Sequence, residues 1–132
     1  MDDQLLQLLG SLAAILALAA IAWALKLGQG PVVADAEEAF GLAREADTGF
    51  DPAEATVSQD GAAAILADAE GRIMVLKRHG THFAARMLEP GAQAACSNGM
   101  LVVTPADRRF GPVRFDLGEH AQAWESRVNA LG

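Results

Sequence analysis

From Gln4 to Leu25 the chain runs 22 residues without a charge, and from Leu5 onward it is almost entirely Leu, Ala and Ile. At 1.5 Å per residue, a helix of that length reaches about 30 Å, the thickness of a bilayer's hydrocarbon core. The expectation is a transmembrane helix over Gln4 to Leu25. A helix buried in a soluble core seldom runs so long apolar on every side. A cleaved signal peptide is the alternative, weakened by two features. The residues before the run carry Asp2 and Asp3 instead of a basic segment, and the run exceeds the usual apolar stretch of such peptides. Lys26 follows the span and Arg44 lies further on, whereas the N-terminal flank has no Lys or Arg. The positive-inside rule therefore places the C-terminal domain of this single-pass protein in the cytoplasm, with Trp23 at the headgroup level.

The remainder is too short for more than one ordinary domain. Residues 1–27 read as the anchor, 28–48 as an acidic juxtamembrane linker or helix, and 49–132 as a small β-rich domain with a C-terminal helix. A single cysteine, Cys96, excludes a disulfide framework and a multi-cysteine metal site. A net charge of -7 argues against a protein that wraps nucleic acid. The charge is unevenly spread. Between Asp35 and Glu70 stand 10 carboxylates against one base, while from Gly71 to the end there are 8 bases against 5 acids.

After the breaker Gly28-Gln29-Gly30-Pro31, Asp35 and Glu38 have the spacing of a helix N-cap and its capping-box partner. They predict a short helix to about Ala46, with Ala36, Phe40 and Ala43 on one stripe and the rest solvated. Ala62 to Ala67 is short, apolar and bracketed by turn residues, and reads as a strand. The clearest hairpin is Arg72 to Glu89, turning at Gly80-Thr81 with glycine where a type II′ turn needs it. Its register pairs His79 with His82, Lys77 with Ala84, Val75 with Arg86 and Met74 with Met87. Met74, Leu76, Phe83, Ala85 and Met87 then share a core face, and Lys77, His79, His82 and Arg86 share a basic one. Asn98-Gly99 marks a second hairpin, with Cys96 opposite Leu101 and Ala94 opposite Val103, which makes Cys96 a buried, inert thiol. Asp107 to Gly111 reads as an exposed basic loop carrying Arg108 and Arg109. Val113, Phe115 and Leu117 point inward. Ala121, Trp124, Val128 and Leu131 then form one stripe of a closing helix, with Trp124 plugging the open side of the sheet.

Five or six antiparallel strands closed by a C-terminal helix resemble the pleckstrin-homology-like architecture, a sheet or partial barrel. The segments GFDP (Gly49 to Pro52), DAEGR (Asp68 to Arg72), RHGTHFAAR (Arg78 to Arg86) and FDLGEHAQAWESRV (Phe115 to Val128) also resemble uncharacterised single-pass proteins of alphaproteobacteria. The second resemblance implies a bacterial inner membrane as the location, and neither implies an activity. The basic loop motif of the lipid-binding members has no residue-by-residue counterpart here.

The chemistry-bearing residues point to binding. There is no G-x-S-x-G, no phosphate-binding loop and no H-E-x-x-H, so no enzyme and no cofactor is expected. Asp116 and His120 have the spacing of an acid-base pair, and equally of solvated groups at a helix start. His79 and His82 face one another across the turn, with His120 as a third imidazole. A metal site is nonetheless the last of three readings, because two ligands are too few and Lys77 and Arg86 repel a cation. The leading site is the basic face of Lys77, His79, His82 and Arg86, extended by Arg78, Arg108 and Arg109. It suits a protein partner first, and an anionic lipid headgroup or small ligand second.

Overall fold

A computed structural model of the chain describes residues 2–27 and 32–131, with side chains described for 2–21 and 32–131. Helix α1 spans Asp2–Leu27. Its stretch Asp2–Ile21 has a mean hydropathy of 2.0 and packs against nothing else in the described residues, so it is long and apolar enough to cross a membrane. Leu6 and Ile15 are 66% and 61% exposed, on opposite sides of the helix, which is the pattern of a rod uncovered all round. The expected anchoring by the Trp23 and Lys26 side chains, and the breaker at 28–31, lie outside the described residues.

The rest is α2 (Ala36–Ala46), seven strands, a 3-10 turn at Gly118–His120 and α3 (Ala121–Asn129). The strands are β1 (Pro52–Val57), β2 (Ala63–Asp68), β3 (Ile73–His79), β4 (His82–Met87), β5 (Gln93–Ser97), β6 (Met100–Thr104) and β7 (Val113–Asp116). They form two antiparallel sheets, β1-β2-β3-β4 and β5-β6-β7. This corrects the expectation of one sheet or partial barrel. The break falls at Glu89-Pro90-Gly91-Ala92, where the Ala92 N–H donates to the Glu89 carbonyl at 3.1 Å and Gly91 has φ +101°. Proline followed by a residue at positive φ is the make-up of a type II turn. It directs β5 across the face of the first sheet instead of along its edge, and Leu88 and Ala92 on either side are buried in the core between the sheets.

The first sheet is therefore covered on both faces. Ile65, Ile73 and Val75 meet Leu101, Val103, Val113 and Phe115 of the second sheet, while Leu66, Met74 and Leu76 on the opposite face pack against α2. All six residues of β2 are buried, and that is why its sequence shows no alternation. Strand β1, unmarked in the sequence reading, adds a seventh strand with a register shift between Pro52 and Glu54.

Helix α2 corrects a second expectation. Asp35 caps it as anticipated, accepting from the Glu38 N–H at 2.9 Å. The helix does not stand apart as a linker, however, because Ala39 and Ala43 are completely buried on the sheet, with Val33 and Phe50 beside them. The buried stripe is centred on these alanines, with Ala36 and Phe40 only half-buried at its margins. Methyl side chains let the helix axis come close to the sheet, so the folded unit includes Val33 and does not begin at residue 49.

Helix α3 closes the second sheet and reaches the first. Trp124 is 3% exposed and its Nε1 donates to Thr56 Oγ1 in β1 at 2.9 Å. The guanidinium of Arg127 stacks 4.3 Å from the Trp124 ring and bonds Glu54 at 2.7 Å. At the β2–β3 turn the buried Asp68 carboxylate accepts from the backbone N–H groups of Glu70 and Arg72 and from Arg72 Nε at 2.6 Å. Burial opposes its ionisation, but the backbone donors and the Arg72 guanidinium outweigh it and hold its pKa below the ordinary value.

Candidate functional site

The β3–β4 hairpin carries the predicted basic face, and its register is the expected one, from Met74 opposite Met87 to His79 opposite His82. Gly80 sits at φ +64° in the turn while Thr81 keeps a negative φ, as a type II′ turn requires. Along one face lie Ile73, Val75, Lys77 and His79, and the face changes character along its length. Its first half is buried under the second sheet, Lys77 is half-buried and His79 is exposed.

The loop after β6 folds back onto this face, which corrects its reading as a freely exposed basic loop. Lys77 Nζ donates to the Phe110 carbonyl at 2.6 Å and lies 4.7 Å from the Phe110 ring. The Arg86 guanidinium lies 5.5 Å from the same ring and bonds Asp107 at 3.1 Å. Phe110 is thus clasped between the two cations. Sequence reasoning missed Phe110 and Asp107 as partners. The available signal was an aromatic side chain in an otherwise polar loop.

Two of the seven predicted binding residues, Lys77 and Arg86, are therefore engaged inside the domain. His79 and His82 stay exposed at the hairpin tip, and Arg108 and Arg109 stay exposed on the loop. Arg78 lies on the opposite face with Leu76 and Phe83. His120 sits in the turn before α3, where the carboxylate within reach of its Nε2 is that of Glu119 at 3.9 Å, not Asp116. Among the described residues no group of three metal-ligating side chains forms. Cys96 is half-buried, with its pKa raised by burial and then by the neighbouring Glu125 carboxylate, which disfavours a thiolate nucleophile.

The clasp yields a stability prediction. Lys77→Met is expected to cost about 1.5 to 3 kcal/mol, the range for a hydrogen bond from a charged donor. It is also expected to speed amide exchange at Phe110, whose N–H bonds the Asp107 carbonyl at 3.3 Å. Exchanging Arg108 and Arg109 for Gln is expected to stay within about 0.5 kcal/mol. Chemical denaturation with exchange mass spectrometry separates the two outcomes.

No protein-family model, curated protein or solved structure matches this chain.

Proposed function

We propose that this protein is an inner-membrane-anchored interaction module, with α1 as a single span, the folded domain in the cytoplasm, and binding of another protein, without catalysis, as its role. The observation that carries the reading is the contrast between α1, whose large apolar side chains among the described residues are more than half exposed, and a domain most of whose large apolar residues are gathered into two cores. An uncovered apolar rod of this length is stable in lipid and a liability in water. The reading without catalysis rests on the motif content of the sequence and on the engagement of Lys77, Arg86 and Asp68 within the fold.

Anionic lipid is the second ligand class, favoured by the exposed Arg108-Arg109 pair, each arginine contributing about 1 kcal/mol near a charged surface, with the exposed tip histidines as further polar contacts. A reporter active only outside the cytoplasm, fused after Gly132, is expected to be silent, with the chain uncleaved in the membrane fraction. An active reporter reverses the topology, and a shortened, soluble chain makes the N-terminal segment a signal peptide. Co-purification in mild detergent then tests the protein partner, and liposome binding that weakens with salt identifies the lipid alternative.

A further inference from the structure

Two sheets have four edges, and among the described residues three are obstructed. On β5 the N–H groups of Ala94 and Cys96 donate to Asn129 Oδ1 and Glu125 Oε2 of α3, at 2.9 and 2.6 Å. On β7 the Asp116 N–H donates to Ser58 Oγ at 2.8 Å and its carbonyl accepts from the Gln59 N–H at 2.9 Å. Strand β1 opens on a proline, shifts register at Glu54, and has that carboxylate pinned by Arg127. Proline, irregularity, charge and side-chain cover are the means by which proteins keep sheet edges from pairing with other chains. Strand β4, with the sequence HFAARM, has none of them on its outer side, since its single Arg86 is turned to Asp107.

The register fixes which backbone groups face outward. The Leu88 N–H donates to the Ile73 carbonyl at 2.8 Å, and His79 and His82 close the hairpin. Hydrogen-bonded pairs alternate in an antiparallel ladder, so His82, Ala84, Arg86 and Leu88 bond β3, while the N–H and C=O groups of Phe83, Ala85 and Met87 point away from it. The side chains of those same three residues lie half-buried on the α2 face.

We infer that the open edge of β4 pairs with a second copy of itself, antiparallel about a two-fold axis at Ala85. This sets Ala85 against its symmetry mate and Phe83 against Met87 of the partner subunit on one face, with Ala84 against Arg86 of the partner subunit on the other. Long side chains meet short ones or apolar ones, and no like charges stand opposite. A groove beside Met87, walled by Ala46, Asp47, Met74 and Glu89, opens on the face where Phe83 of the partner subunit arrives. A second groove, on the other face, holds Glu89 and Asp107 near the place taken by His82 of the partner subunit. The interface is isologous and joins the two four-stranded sheets into one of eight.

The axis runs normal to the sheet and leaves both α2 helices, with Val33 ahead of each, on the same face, an arrangement compatible with two anchors in one bilayer. One further observation on α1 favours a second copy, and like the bilayer geometry it rests on the reading of α1 as a membrane anchor. Gln4, Gln7 and Ser11 lie three and four residues apart and line one face of the helix. Amide side chains in hydrocarbon bond across helices. Anchoring also confines both copies to two dimensions, which raises the effective concentration for a small interface.

The test uses the full chain in membranes, with Cys96→Ser and one new cysteine at a time, under mild oxidation. Paired residues stand roughly 5.5 Å apart between Cα atoms, within the range a disulfide spans. Ala85→Cys is expected to give a disulfide-linked dimer. Phe83→Cys and Met87→Cys are each expected to stay monomeric, their own mates being about 14 Å away along the strands, yet to crosslink when the two variants are co-expressed. Ala53→Cys, on the β1 edge, is expected to stay monomeric. A monomeric Ala85→Cys overturns the inference, and so does Ala53→Cys crosslinking as well as Ala85→Cys. Recovery of the chain in the soluble fraction overturns the anchor reading alone, because the same register pattern is then scored in that fraction.

Discussion

Replacing Trp124 with alanine is expected to lower the stability of the folded domain by about 3 to 5 kcal/mol, the range for emptying a buried aromatic site. The indole lies between the sheets, in the same core as Ile65, Val75 and Phe115, and is the one large side chain that α3 contributes there. Its removal leaves a cavity that the sheets cannot close, since each is held by its own ladder. It also takes the donor from Thr56 and the stacking surface from Arg127, whose ion pair with Glu54 ties α3 to β1. A domain of about 100 residues has roughly 5 to 15 kcal/mol in total, so the loss is a large part of what there is. Trp124→Phe separates the contributions. It keeps an apolar ring and forfeits the hydrogen bond, for about 1 kcal/mol. The measurement is denaturant unfolding of the full chain in detergent followed by far-ultraviolet circular dichroism. A midpoint for Trp124→Ala close to that of the unaltered chain contradicts the docking of α3 between the sheets.

What the sequence reveals follows from where its signals are local. Both hairpin registers were legible, because Gly80-Thr81 and Asn98-Gly99 fix strand pairing within a few residues of the turn. Trp124 and its stripe were legible from the helical period. The division into two sheets was not, although the Pro90-Gly91 dipeptide that causes it stands in plain view. A turn of that kind redirects a chain without saying which surface the next strand will meet. Strand β2 hides its alternation because both its faces are covered, and β1 hides behind a proline, a glutamate and two alanines. In the candidate site, alternation correctly put Lys77 and Arg86 on the face opposite Met74 and Leu76. Whether that face met water depended on Phe110, 33 residues beyond Lys77, and no local pattern reports such a contact. The open edge of β4 was invisible for the same reason, since an edge is defined by the absence of a neighbouring strand.

Helix α2 supplies the sharpest contrast between the two readings, and Ala43→Asp decides it. If 28–48 were a solvated linker, one more carboxylate among its many would change stability by no more than about 0.5 kcal/mol. In the structure Ala43 is fully buried, so the substitution is expected to cost several kcal/mol, the effective penalty for placing an unpaired ion in an apolar interior. The helix then lifts from the sheet and uncovers Leu66, Met74 and Leu76. Protease sensitivity should appear first within 36–46, ahead of global unfolding. An opposite sign is expected two residues earlier on the same helix. Gly41 is exposed and an added methyl group there meets nothing within 4 Å, so Gly41→Ala should stabilise by about 1 kcal/mol through helix propensity alone. Loss of stability in the first variant with a gain in the second requires a helix that is formed and docked by its alanine face. That face also sets the wall of the groove beside Met87, since Ala46 and Asp47 at the end of α2 line it. Ala43→Asp should therefore weaken crosslinking through Ala85→Cys as well, at temperatures where the two sheets remain folded.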